Sequence, residues 1–317
     1  MAKKSTKNTV IVILGPTATG KSDLAVRVAT SFAKASASRG KQVGGEIISA
    51  DSRQVYTGLD IATGKITKKE MCGVPHHLLD VVNPKTSRTG DFSVDEWRKL
   101  AEKKIEEILA RGHVPIICGG TGFYIQSIVD NIVLPEVPPN PTLRKKLESK
   151  SLAELVSMLK KLDPTRLKNI DAKNPVRLIR AIEIASALGK VPKFTKVKSK
   201  YDFIQIGLTT SLEELEKRIK TRVDKRMKRG MIAEAERLHK AGLSYKRMRE
   251  LGLEYRYLAD FLERKIDKKE LAEQIYKSNV DYAKRQMTWF KRDKMIQWFD
   301  VSEKGWEKKV VKILKKV

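Results

Sequence analysis

The 317-residue chain is 41% apolar and 32% charged, enough to bury a core in roughly two domains, or in one α/β core carrying an insertion. Its 65 Lys and Arg against 38 Asp and Glu leave a formal charge of +27, which fits either a solvated Lys-rich surface or a polyanionic partner whose counterions are released on binding. The leader MAKKSTKNT and the short apolar run behind it exclude a signal peptide or a membrane span, and two cysteines, Cys72 and Cys118, exclude a disulfide framework and zinc spacing; the expectation is a folded cytoplasmic protein with no membrane partner.

Val10 to Leu14 is a continuous apolar, β-branched run, the pattern of a strand buried on both faces of a parallel sheet. GPTATGKS then turns into SDLAVRVATSFAK, whose Leu24, Val28 and Phe32 recur at helical spacing. GEIISA and HVPIICGG read as two more buried strands, the second reached through SVDEWRKLAEKKIEEILARG, a helix with Ser93 placed to cap it and Gly112 to end it. The Pro-rich LPEVPPNPTLRKKLE opens a stretch of short basic helices, SLAELVSMLKKL and PVRLIRAIEIASALG among them. DFIQIGLTT returns to the sheet, and two long basic helices follow; in SLEELEKRIKTRVDKRMKRG a stripe of Leu215, Ile219, Val223 and Met227 is read as core. The expected fold is α/β, a P-loop NTPase-like parallel sheet flanked by helices, with a helical insertion domain: 1–130 and 201–317 form the core and 131–200 the insertion.

GPTATGKS fits G-x-x-x-x-G-K-[ST] from Gly15 to Ser22. Glycines let the backbone curl so that its N–H groups point inward, Lys21 adds a mobile charge, Ser22 can hold Mg²⁺, and the helix N-terminus behind adds its dipole. An ATP- or GTP-spending enzyme of this class also needs a carboxylate at a strand end for Mg²⁺. The third strand instead ends IICGGTG, Asp80 in HHLLDVV is a weak imitation, and no Asn-Lys-x-Asp guanine reader exists. The carboxylate available is Asp51, after the second strand; if that strand neighbours the loop strand, Asp51 lies at the carboxyl edge where open α/β sheets bind ligands. Helix capping is the alternative use for an Asp-Ser pair.

Taken together, GPTATGKS, ISADSRQVYTGLDIATGK, VPHHLLDVV, FSVDEW, GGTGFY, NPVRLIRAIE and RQMTWFKRD resemble, in order from about Val10 to Asp300, the tRNA dimethylallyltransferases, also called tRNA isopentenyltransferases. The resemblance implies transfer of the dimethylallyl group of dimethylallyl diphosphate to N6 of the adenosine 3′ to the anticodon, in tRNAs reading codons that begin with U. It makes Gly15, Pro16, Thr17, Ala18, Thr19, Gly20, Lys21 and Ser22 the diphosphate cradle, with Mg²⁺ on Ser22, and gives catalytic work to Asp51, Thr17 and Arg222. An adenine amine is a poor nucleophile, so a carboxylate in reach must take its proton, and the departing diphosphate needs cations and oriented N–H donors. The target base must also be flipped out of its loop.

The resemblance assigns contacts with the tRNA anticodon stem-loop to Asp51, Ser52, Arg53, Gln54, Thr121 and Arg144, and to a helix face at Val176, Arg177, Leu178, Ile179 and Arg180. Val176 stands where Gln is common, Phe123 where Leu is usual, and SFAKASASRGKQVGGE lengthens the link before the second strand. No zinc-finger extension follows before Val317, the pattern of a bacterial-type enzyme, expected as a monomer. Two other readings are weighed against this one: the same chemistry on free AMP or ATP, against which the +27 charge argues, and an RNA-binding switch driven by ATP or GTP. Without the resemblance Arg222 is one solvated charge among many. His76 and His77 have no second pair to complete a metal site, and Trp289 and Phe290 serve either base stacking or the core.

Overall fold

The computed structural model describes residues 8–37, 44–86, 92–193 and 195–314. The leader 1–7 and residues 38–43 of the lengthened link lie outside them. The chain divides into two units, 1–130 with 199–317, and 131–198.

In the larger unit, β1 (Thr9–Leu14) leads through the GPTATGKS loop into α1 (Lys21–Ala37) and back to β2 (Gly45–Ala50). A long loop carrying α2 (Lys68–Met71) reaches the two-residue β3 (His76–His77), then α3 (Val94–Ala110), β4 (Val114–Gly119) and α4 (Gly122–Val129). Ser93 caps α3 in a reciprocal box with Glu96, and Gly112, at φ +73, turns the chain away from its end.

The smaller unit pairs β5 (Ile132–Val133) antiparallel with β6 (Thr195–Lys196) around α5 (Pro141–Glu148), α6 (Leu152–Leu162), α7 (Pro164–Lys168) and α8 (Pro175–Leu188). Asn140, Ser151, Asp163 and Asn174 cap the four helices in turn, so each break in the insertion is written locally. Its core is Leu147, Leu155, Leu159, Leu178, Ile179, Ala181 and Ile182. Buried Glu183 accepts from Arg144 Nε at 2.8 Å, Arg144 Nη2 at 2.9 Å and the Asn140 N–H at 2.9 Å.

The chain rejoins the larger unit at β7 (Asp202–Thr209), followed by α9 (Leu212–Lys228), α10 (Met231–Lys240), α11 (Tyr245–Leu251), α12 (Leu253–Leu262), α13 (Lys268–Phe290), β8 (Gln297–Asp300) and α14 (Trp306–Leu314). The sheet runs β3-β2-β4-β1-β7-β8, parallel throughout. The second predicted strand therefore does not neighbour the loop strand, because β4 lies between them. Asp51 still reaches the carboxyl edge, since every strand points the same way.

Period-two alternation divides β1 between two layers: Val10, Val12 and Leu14 pack into the core beneath α3, α9 and α13, and Ile11 and Ile13 into the one beneath α1 and α14. All five are fully buried, each worth about 1.5–3 kcal/mol relative to exposure. In α9, Leu215, Ile219 and Val223 are buried as the stripe predicts, and Met227 is only partly so. The edge strand β8 and the helices α10 to α12 were not predicted; a four-residue strand after KRDKM carries too few residues for a readable period.

Candidate active site

The phosphate loop is shaped by sites that tolerate positive φ. Gly15 sits at φ +139 against the Leu208 carbonyl, which a Cβ would overlap, and Gly20 at φ +82. Ala18 adopts φ +65, a left-handed conformation costing a non-glycine residue about 1–2 kcal/mol. Thr19 Oγ1 donates to the Pro16 carbonyl at 2.9 Å and Lys21 Nζ to the same oxygen at 2.6 Å, so the loop wraps its own lysine.

Two cations, Lys21 and Arg222, line a cavity with this loop. Arg222, from α9, donates Nη1 to Thr17 Oγ1 at 2.7 Å. Burial pulls the Arg222 guanidinium down to about 10, with Arg226 one turn on pushing the same way. Burial likewise pulls Lys21 down to about 8; Cys118 and Asp51 oppose this, and Arg222 reinforces it. Partly desolvated cations held this close to one another favour an anion between them.

Asp51 follows β2. Its Oδ1 accepts the Arg53 N–H at 2.8 Å and the Gln54 N–H at 3.4 Å, so it caps a turn rather than a helix. The next loop along the edge is tied to it: Thr121 donates its N–H to the Ala50 carbonyl at 3.0 Å, and its Oγ1 accepts the Ser52 N–H at 2.9 Å. Thr17, Ala18, Gly20, Lys21, Ser22, Asp51, Arg53, Gln54 and Arg222 all line one cavity of about 710 Å³. A second cavity, of about 820 Å³, touches the loop only at Pro16 and holds none of the other candidate residues.

Arg144 and the run 176–180 belong to the smaller unit. Helical geometry splits that run: Val176 and Arg177 are exposed and Arg180 partly so, while Leu178 and Ile179 fill the unit's core. The exposed side chains of the run are thus Val176, Arg177 and in part Arg180, because 3.6 residues per turn carries its middle inward.

Several cavity residues escaped sequence reading. Gly64, at φ +63, lies where a Cβ would strike Arg222 and come within 2.5 Å of Arg226 Nη2. Arg226 donates to the Ala62 carbonyl at 2.9 Å and to Glu254 at 3.0 Å, and Asn279 also donates to Glu254 at 3.0 Å. Asn279, Tyr282 and Gln286 line the cavity from successive turns of α13. Two buried polar residues at helical spacing in an apolar stripe were the signal available.

Other candidates have structural uses. Asp80 and Asp60 both bond the buried Lys65, at 2.5 and 2.7 Å. His77, His113 and Arg111 surround Glu46 at the amino end of β2, and no cluster of three His, Cys, Asp or Glu suited to a metal exists among the described residues. Phe290 is core, while Trp289 packs on Gly122 and edge-on to Phe123.

A parallel sheet with a P-loop-type cradle at its carboxyl edge, and with cations and a carboxylate lining the same cavity, defines an α/β protein suited to a phosphorylated substrate. The chain belongs to the IPP transferase family, whose model matches residues 54–293. It is 40% identical over 311 residues to the tRNA dimethylallyltransferase of Anoxybacillus flavithermus, covering 96% of this chain and 94% of that protein. The tRNA dimethylallyltransferase of Carboxydothermus hydrogenoformans is 39% identical over 315 residues, 96% of each. The solved structure of the full-length tRNA isopentenylpyrophosphate transferase of Bacillus halodurans superposes with a TM-score of 0.69 at 34% identity, covering 97% of this chain and 95% of that one.

Proposed function

We propose that the chain transfers the dimethylallyl group of dimethylallyl diphosphate to tRNA, at N6 of the adenosine 3′ to the anticodon in tRNAs reading codons that begin with U. The observation that carries this reading is the shared cavity: Lys21, Arg222 and Asp51 all line one space. Its relatives' names supply the substrates.

In the reaction, the bond between the allylic carbon and the diphosphate oxygen breaks, its electron pair leaving with diphosphate, and a bond from N6 to that carbon forms. Lys21, Arg222 and the loop N–H groups stabilise the growing negative charge; one such oriented donor is worth about 10²–10³ in rate. The proton released from N6 goes to Asp51. Among the described residues its Oδ2 has no hydrogen-bond partner, while Oδ1 is held by the turn. General-base help of this kind contributes about 10²–10⁴.

The donor set suits Mg²⁺. The Ser22 hydroxyl stands at the first turn of α1, with Asp23 and Asp51 lining the same cavity, all hard oxygen donors. Ser22 and the substrate's own phosphate oxygens would hold the ion, which supplies charge neutralisation on the leaving group when bound. Base contacts fall to Asp51, Ser52, Arg53, Gln54 and Thr121, and contacts from the smaller unit to Arg144, Val176, Arg177 and Arg180. A tRNA substrate implies the cytoplasm, and no described helix is long and apolar enough to cross a membrane. The cavity is built within one chain, so a monomer suffices.

The test supplies labelled dimethylallyl diphosphate with total tRNA or with free AMP and ATP, followed by mass spectrometry of the nucleosides. Label in N6-(dimethylallyl)adenosine from tRNA is the expected result; label in free nucleotide alone overturns it.

A further inference from the structure

Gln286, in the RQMTWFKRD segment of α13, is buried and has both ends of its amide engaged. Its Oε1 accepts the N–H of Thr17, inside the phosphate loop, at 2.8 Å, and its Nε2 donates to the carbonyl of Gly120, just past β4, at 2.9 Å. A Cβ at Gly120 would overlap Gln286 Nε2, so the residue after β4 lacks a side chain where the amide enters. From Gly120 the connection continues through Thr121 to the Ala50 carbonyl and the Ser52 N–H, on either side of Asp51. On the other side, Thr17 receives Arg222.

We infer that Gln286 is a positioning residue that sets the separation between the diphosphate loop and the loop carrying Asp51. The inference rests on the transfer reading above for its catalytic consequence, and on geometry alone for the clamp. An amide suits the place because one end must accept and the other donate. A carboxylate would accept from Thr17 but face the Gly120 carbonyl with no proton, and a thioether would do neither. Displacement of reacting groups by about 1 Å can cost on the order of 10²-fold in rate without changing what binds.

The experiment compares Gln286→Met and Gln286→Glu with the wild type in the full-length protein, by amide hydrogen exchange, thermal melting and steady-state transfer at varied tRNA. In both variants exchange at Thr121 quickens, and in Gln286→Met exchange at Thr17 quickens with it. Turnover falls at least tenfold in both, with KM for tRNA within about threefold and melting of Gln286→Met within a few degrees. Unchanged exchange at either loop in Gln286→Met overturns the clamp, as does unchanged turnover. Failure of the wild type itself to label tRNA overturns the transfer reading instead, and the exchange measurement still decides the clamp.

Discussion

Arg222 Nη1 donates to Thr17 Oγ1 at 2.7 Å across 205 residues of sequence. That bond joins the first βα unit to a helix behind the insertion, and it puts a desolvated guanidinium at the mouth of the phosphate loop.

Arg222→Ala should lower turnover by about 10²-fold while leaving the fold intact, because the proposed donor to the leaving group is lost and a desolvated cation beside Arg226 is relieved. Arg222→Lys should recover only part, since a lysine cannot bond Thr17 and reach the diphosphate with one planar fork. Single-turnover transfer alongside thermal melting checks both; a large fall in melting temperature with the rate unchanged would contradict the assignment.

Asp51→Asn keeps an oxygen for the Arg53 and Gln54 amides and removes the proposed base. It should retain tRNA binding and stability while losing transfer by about 10²–10⁴. Asp51→Ala, which also leaves the turn amides without their acceptor, should melt lower than Asp51→Asn. Filter binding of tRNA beside the transfer assay separates the two roles.

Burial holds the Lys21 ammonium at about 8 rather than its ordinary 10.5. Below that pH it is charged; as pH rises through 8 it deprotonates and contributes less to holding an anion. A bound diphosphate favours the charged form and raises the pKa, so binding above pH 8 takes up a proton and its affinity falls with rising pH, by up to about tenfold per unit. Calorimetry with inorganic diphosphate between pH 7 and 9.5, in buffers of different ionisation heat, measures the uptake. Lys21→Arg should flatten the profile.

Gly64→Ala adds a Cβ at φ +63 into the space of Arg222 and Arg226. Backbone strain alone costs about 1–2 kcal/mol, and the displaced guanidinium should lower turnover as well. A lower melting temperature together with slower transfer is expected; normal transfer would show that Arg222 reaches its place without the glycine.

What was legible in the sequence was written in neighbouring residues. The phosphate loop needs glycines and a lysine within eight positions, a capping box needs Ser93 and Glu96 three apart, and a buried parallel strand announces itself by an unbroken apolar run. The exchange of order that puts β4 between β1 and β2 left no such mark, because both are apolar runs of the same kind and either could pair with the loop strand. The inward turn of Leu178 and Ile179 follows from the helical period, which carries the middle of the 176–180 run into the smaller unit's core.

The sequence by itself determined the strand, glycine-lysine loop and helix of the first βα unit, the carboxylate after the second strand, the capped helices of the insertion and the family resemblance, since each depends on interactions a few residues long. Only the tertiary structure decided which distant groups complete the cavity. Gln286 meets Thr17 across 269 residues and Gly120 across 166, Gly64 makes room for two arginines of α9, and Arg226 finds Glu254 in the core. Local pattern marks a polar residue such as Gln286 but not its partner; these bonds form because folding removes the groups from water and leaves each with one another's donors and acceptors as partners.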